Sequence, residues 1–465
     1  MAEFQPPSRE ISREKKSVTE RAMSVVTEVR AGEGTGVLLL GLNVFLLLLA
    51  YYLLRPVREA LILTEAGAEA RAYSSAGQAL LFAGIVPLYG MLASRLNRLQ
   101  LITWVTLFFI SNLILFWILG NAGVALGIPF YLWVGIFNML VIAQFWAFAN
   151  DLYTESTGKR LFPLIMLGAS LGAVAGGQVA AGLFAALGSY GLMLLSGALL
   201  GLCILVTRFI DFRARTRPRL VQSASGATPA GEAGKPLDKT GALKLLLQDR
   251  YLLMIAILMV LLNTVNTTGE YILARFVEET AAASASSAEA QQVIVGQFYG
   301  NYASLFSGVG LILQLFAVSR IFKYLGVGPA LLFLPVIALA GYSMLIVFPV
   351  LGVVRWAKIF ENGTDYSIQN TARQALFLPT SREAKYKAKA AIDTFFVRAG
   401  DMLQAGIVFV GTTIFVLGVE GFAAVNIVLT ALWLAVALRI AREYRRRTQP
   451  EPRPSPGMLA ESVEA

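Results

Sequence analysis

The chain has 465 residues, is 56% hydrophobic before its 42 glycines are counted, and has a mean hydropathy of +0.65. Soluble domains reach only about 45–50% apolar with glycine included, so the composition is that of a membrane protein. Histidine is absent and Cys203 is the only cysteine, which removes the usual general base, the commonest metal ligand and any disulfide framework. No cofactor, no metal and no enzyme activity are expected.

Residues 1–35 are polar and mix Glu3, Glu10, Glu14, Glu20 and Glu28 with basic residues, unlike a secretory signal or an acid-poor transit peptide. They read as a cytoplasmic tail. A hydrocarbon core of ~30 Å needs roughly 20 helical residues, and apolar runs of that order recur at 36–54, 73–93, 101–119, 128–149, 161–187 and 189–207. After a stretch rich in Arg, Pro, Gly, Ala and Ser at 211–241, a second set follows near 251–274, 293–318, 327–348, 351–376, 391–417 and 421–440. The expected architecture is all-α, with 12 transmembrane helices arranged six plus six. It divides into bundles at 36–210 and 245–445, a linker at 211–244 and a C-terminal tail at 446–465.

Charge tests this count. Of the 39 Lys and Arg, 32 fall on the side of the two tails, six lie toward the other side, and Arg398 lies within a span. The positive-inside rule then places both termini in the cytoplasm of a cell whose plasma (inner) membrane the chain crosses many times. The net charge of +10 reports topology, so the bilayer is an expected partner and nucleic acid is not.

The first span closes on AYYLLRPVREAL, residues 50–61, with Arg55 and Arg58 on the basic-poor side. Two readings stand. Arg55 pairs with Glu59 at i,i+4 and snorkels to the interface, or Arg55 and Arg58 form an anion clamp at a cavity mouth, since guanidinium is a planar donor fork suited to phosphate or carboxylate. Further along, GMLASRLNR at 90–98 is similar to the glycine-and-arginine loop of major-facilitator transporters, with Ser94 and Asn97 where that signature has aspartate and glycine. Gly168, Gly172 and Gly176 in LGASLGAVAGG are small-xxx-small repeats that predict close helix packing.

The second half opens on NTVNTTGEYILAR, with Asn263, Asn266, Thr267, Thr268 and Glu270, and EYILARFVEE at 270–279 echoes YYLLRPVRE at 51–59. Parallel six-helix repeats of this kind build major-facilitator transporters, whose site lies near midplane between the halves. Gln297, Asn301, Tyr302 and Ser304 are further polar positions. The least apolar span is 351–376, whose segment RWAKIFENGTDYSIQNTARQAL runs from 355 to 376. At 100° per residue, Lys358, Glu361, Asn362, Asp365, Tyr366, Gln369 and Arg373 share one arc, with Phe360, Ser367, Ile368 and Ala375 outside it. Charged groups at such depth are costly and mark a pathway or a paired site. Glu361 and Asp365 repel at i,i+4 and need a basic partner such as Lys358.

Four segments together resemble the nucleotide transporters of plastids and intracellular bacteria, the ATP/ADP translocases, over about 36–417. They are YYLLRPVREAL, FWAFANDLYTESTGKRLFPLIMLGAS, DYSIQNTARQALFLP and KYKAKAAIDTFFVRAGD. The resemblance implies that Arg58 stands where the family has a first-span lysine used in transport, and Arg373 where it has the lysine of a DPTKE segment, here NTARQ with Gln374 in the acidic place. Two family glutamates have no counterpart in YLWVGIF, 131–137, or QQVIVGQFYGN, 291–301.

Together these readings predict a secondary transporter for a small anionic metabolite, a nucleotide above all, in ATP:ADP antiport, by rocking of 1–210 against 245–445. The substrate-binding candidates are Arg58, Arg373, Arg55, Glu59, Asn362, Asp365, Gln369, Glu270, Asn301, Lys358 and Glu361. The alternatives are a carrier of a non-nucleotide organic anion, a proton-coupled carrier using Glu361 or Asp365, and a non-transporting scaffold or sensor. No P-loop GxxxxGK[ST] is present to cradle phosphate for hydrolysis.

Overall fold

The computed structural model describes residues 17–24, 27–30, 32–216, 242–381 and 384–448. Most of the 211–244 linker and most of both tails lie outside these residues. Among those described the chain is helices joined by short turns and loops, with no strand. The helices are α1 (Val18–Met23), α2 (Gly34–Glu65), α3 (Gly67–Ala93), α4 (Arg98–Asn121), α5 (Gly127–Leu152), α6 (Glu155–Thr216), α7 (Ala242–Gln248), α8 (Arg250–Ser284) and α9 (Ala288–Ile312). They continue as α10 (Val318–Tyr324), α11 (Val327–Ala330), α12 (Phe333–Val347), α13 (Leu351–Thr364), α14 (Asn370–Leu376), α15 (Lys389–Ala391), α16 (Val397–Thr413) and α17 (Val419–Thr448).

Among the described residues, nine helical stretches are long and apolar enough to cross a bilayer. The difference from the twelve expected runs has a local cause at three places. The runs 161–187 and 189–207 are joined within α6, where Gly188 leaves helical geometry at φ 63°, ψ −175°. A residue with a side chain seldom adopts that φ, so the glycine makes the turn between two spans. The runs 351–376, with Arg355, Lys358, Glu361, Asp365 and Arg373, and 391–417, with Asp393, Arg398 and Asp401, are too polar to count among the nine, and π-turns at Asp365–Gln369 and Ile392–Phe396 interrupt their helical period.

The chain forms two compact units. The first comprises Met1–Lys235 and Val277–Ser307, the second Pro236–Phe276 and Gly308–Ala465. Residues 277–307, expected within the second bundle, therefore group with the first. The close contact of α9 with α6 explains this: a Cβ on Gly300 would lie 2.8 Å from the Gly177 carbonyl oxygen, and one on Gly177 would lie 2.7 Å from that of Gly300. Glu278 adds to the attachment, accepting a hydrogen bond from the Ala68 N–H at the start of α3 at 3.0 Å.

In the first unit α6 also lies along α2, and the predicted small-residue stripe makes that contact. An added Cβ would come within 2.4 Å of the Gly41 oxygen at Gly168, 2.4 Å of the Phe45 oxygen at Gly172, and 2.8 Å of the Leu49 oxygen at Gly176. Backbone meets backbone there, so a bulky side chain must separate the helices, and overpacking of this kind costs about 1–3 kcal/mol or more. Gly172→Val is expected to lower the thermal midpoint of the purified protein. Gly182→Ala, where an added Cβ meets nothing within 4 Å, should not, and equal midpoints for the two variants would refute the contact. At the other end of α2, the Glu20 carboxylate accepts from the backbone N–H groups of Ser17 (2.8 Å), Gly32 (2.8 Å) and Gly34 (3.2 Å). These bonds, that of Ser17 foremost, hold its carboxyl below the ordinary range despite partial desolvation.

Candidate functional site

In the first unit the polar group of interest grows out of α2. The helix does not end at the arginines. It continues through Pro56, which stands inside it, as far as Glu65. At 1.5 Å per residue Arg58 lies about 10 Å short of that end. The expected span end is corrected accordingly: the arginines sit within the packed helix, where proline is tolerated because neighbouring groups can satisfy the freed backbone.

Glu59 is almost fully enclosed, at 2% side-chain exposure, against 12% for Arg58 and 9% for Arg71. Its Oε1 accepts from Arg58, with Nε at 3.1 Å and Nη2 closer still, and its Oε2 accepts from Arg71 Nε at 2.5 Å. Both oxygens are therefore taken by Arg58 and Arg71. The alternative in which Glu59 pairs with Arg55 is corrected: the Arg55 guanidinium lies over the rings of Phe306 (4.8 Å to the centroid) and Tyr52 (5.8 Å). Arg58 in turn sits over the Tyr131 ring at 4.5 Å, an arrangement that stabilises a cation through the ring quadrupole. Two guanidiniums around one carboxylate leave a local charge of +1. Sequence reasoning missed Arg71 as a partner; the available signal was its place among the six basic residues on the basic-poor side. Asn301 also belongs to this unit, on α9.

The second unit holds the other group. Lys358, on α13, is fully buried. Its Nζ lies 2.5 Å from Asn266 Oδ1 and 3.1 Å from the Asn266 carbonyl oxygen on α8. It also lies 3.1 Å from Glu361 Oε1, off the hydrogen-bond direction, and 3.8 Å from Glu270 Oε1. Tyr342 donates to Glu361 Oε2 at 2.9 Å, and Asn362 Nδ2 donates to Glu270 Oε1 at 2.8 Å. Gly269 makes room for this packing, since a Cβ there would lie 2.0 Å from the Tyr342 hydroxyl oxygen. Lys358 is thus the basic partner of Glu361 and also draws in Glu270.

The single-arc expectation for 355–376 holds for part of its length only. Lys358, Glu361, Asn362 and Gln369 are buried in the unit, while Tyr366, placed in the arc, is exposed, and Ser367, placed outside it, is buried with its hydroxyl on the Gly363 carbonyl. The π-turn at Asp365–Gln369 is the cause, because it winds more residues into a turn and shifts the phase of everything after it. Within that turn Asp365 Oδ1 and both amide atoms of Gln369 are buried without a hydrogen-bond partner. Beyond it, Arg373 Nη2 donates to Asn370 Oδ1 at 3.3 Å, and Nη1 approaches Met259 Sδ at 3.9 Å. Elsewhere on α8, Asn263 bonds Asp401 and the Val397 carbonyl, and Thr267 and Thr268 bond carbonyls of their own helix. Among the described residues no cluster of metal-ligating side chains occurs.

Buried ion groups in a bundle of long apolar helices stand here on a fold shared with solved transporters. A peptide transporter of the POT family in complex with sulfate superposes at a TM-score of 0.61 and 14% identity, covering 92% of this chain and 99% of that one. The nucleoside transporter NupG gives 0.56 and 12%, over 90% and 100%. A bacterial homolog of the human lysosomal transporter Spinster gives 0.58 and 16%, over 90% and 98%. The fold is all-α and polytopic, the fold of these solved transporters. By sequence, residues 129–340 and 331–444 match the TLC ATP/ADP transporter family, and the chain belongs to that family. ADP,ATP carrier protein 1 of Chlamydia pneumoniae is 20% identical over 345 residues, 66% of this chain and 65% of that protein.

Proposed function

We propose that the chain moves a nucleotide, or a closely similar phosphorylated anion, across the membrane by alternating access, in the manner of an ATP:ADP antiporter. The observation that carries this reading is the Arg58–Glu59–Arg71 group, a net-positive cluster held at low exposure in the first unit. Desolvated guanidinium is the side chain best suited to phosphate oxygens. Arg373 supplies a cation in the second unit, near the unpartnered Asp365 and Gln369 atoms, and the Lys358 group is the other polar focus there. The charge asymmetry supports cytoplasmic termini and residence in the inner (plasma) membrane.

Reconstituted proteoliposomes test the proposal. Labelled ADP and ATP are expected to enter saturably and faster when the vesicles are loaded with ADP, whereas citrate at equal concentration should neither enter nor compete. Uptake of citrate without uptake of ADP would establish the organic-anion alternative instead. No flux of any anion would leave the scaffold reading.

A further inference from the structure

Glu59 places a full negative charge against the arginine that, on the reading above, receives the cargo. A carboxylate there competes with the cargo, so its presence needs a physical reason. The division of its oxygens supplies one: Oε1 serves Arg58 and Oε2 serves Arg71. We infer that Glu59 is a built-in counter-anion that holds Arg58 while no cargo is bound, and that Arg71 keeps Glu59 compensated when Arg58 moves from Oε1 to an anionic cargo.

In a bundle with little water, an unpaired guanidinium or carboxylate is costly. With cargo absent, Arg58 and Arg71 are both paired through Glu59. Once Arg58 transfers to a phosphoryl oxygen, Glu59 keeps Arg71 on Oε2 and the cargo holds Arg58, so each charge again has a partner. No step passes through a bare ion. Arg58 is slightly the more exposed of the two arginines, at 12% against 9% for Arg71, and the Tyr131 ring beneath it at 4.5 Å gives the guanidinium an apolar rest over which to turn. Arg71 and Glu59 are thus positioning residues for Arg58. The consequence is that in the empty carrier Arg58 still has Glu59 as its counter-ion, so the carrier can reorient without cargo. The protein then supports net uptake as well as exchange.

This inference rests on the anion-carrying reading, and the experiment separates the two. Parent and variants are reconstituted and assayed with ADP, ATP, inorganic phosphate and citrate, measuring KM and the ratio of exchange (vesicles loaded with the same anion) to net uptake (empty vesicles). Glu59→Gln removes the competitor: KM for the transported anion should fall about threefold or more, and the ratio of exchange to net uptake should rise about tenfold. Arg71→Gln leaves Glu59 dependent on Arg58 alone, so KM should rise about tenfold. The double variant Glu59→Gln/Arg71→Gln should return KM to the parent value or below it while keeping the raised ratio. A purely structural ion pair predicts loss of flux in both single variants with no rescue. Should Glu59→Gln fail to fold, the double variant, which keeps the parent's local charge, gives the same reading. The inference is overturned if KM rises or stays unchanged on removal of Glu59, or if the double variant is no better than Arg71→Gln. If the parent carries phosphate or citrate and not ADP, the nucleotide reading fails and the switch is judged on that anion. If it carries none of the four, both fall.

Discussion

Replacement of Arg58 by alanine is expected to weaken ADP binding and uptake about ten- to a hundredfold. The guanidinium would give a phosphate charge-assisted hydrogen bonds of roughly 1.5–3 kcal/mol, and each 1.4 kcal/mol is about a factor of ten. Loss of folding is not the expected cause, because Glu59 keeps Arg71 on its Oε2 and remains half of an ion pair. Arg58→Lys should recover much of the affinity, since it restores the charge without the planar fork. Arg55→Ala should cost less: its guanidinium lies over two rings, a contact worth about 0.5–2 kcal/mol. Arg373→Ala is expected to resemble Arg58→Ala, and Arg373→Lys to resemble Arg58→Lys. The measurement is ADP affinity and initial uptake in proteoliposomes after each variant is shown to be monodisperse. An Arg58→Ala protein that binds and carries ADP like the parent would remove the arginine cluster from the cargo site.

Much of this arrangement was legible in the sequence because it depends on period and composition. The length of the apolar runs located the helices, the break between 187 and 189 fell at Gly188, and the spacing of Gly168, Gly172 and Gly176 announced the face along which α6 meets α2. The less legible features depend on what happens when a helix departs from its period or meets another element. The i,i+4 spacing of Arg55 and Glu59 assumes a helix through Pro56, but nothing in RPVRE says that α2 carries on to Glu65, because the compensation for a lost N–H comes from surrounding packing. The π-turn at 365–369 exchanges the exposure expected of Tyr366 and Ser367, since a projection at fixed pitch cannot register extra residues in a turn. Arg71 stands twelve positions after Glu59, on the next helix, and only the fold brings them to 2.5 Å. Tyr342, likewise, is invisible as a partner of Glu361 until α12 and α13 pack.

Lys358→Met is expected to produce the largest loss of stability among the substitutions considered. The methionine has similar length and tolerates an apolar setting, so the change chiefly removes a charge. That charge lies fully buried between Glu361 Oε1 at 3.1 Å, Glu270 Oε1 at 3.8 Å and the Asn266 oxygens. Breaking a buried pair from one side strands the other charge, at a cost of about 3–5 kcal/mol. Glu270 retains Asn362 and Glu361 retains the Tyr342 hydroxyl, but neutral donors compensate a carboxylate only in part. Neutralising the stranded acid should therefore rescue the protein: Lys358→Met/Glu361→Gln is expected to recover most of the lost stability, because replacing both members of a buried pair is often close to neutral. Tyr342→Phe sets the scale of a single bond in the same group, about 1 kcal/mol. Thermal unfolding of the detergent-solubilised variants gives all three comparisons. A Lys358→Met protein as stable as the parent, or a double variant no better than the single one, would mean that the lysine is not the counter-ion of these carboxylates in the folded protein. A rescued double variant that no longer carries ADP would instead place the Lys358–Glu361 pair in the transport cycle, beyond its part in holding α13 against α8.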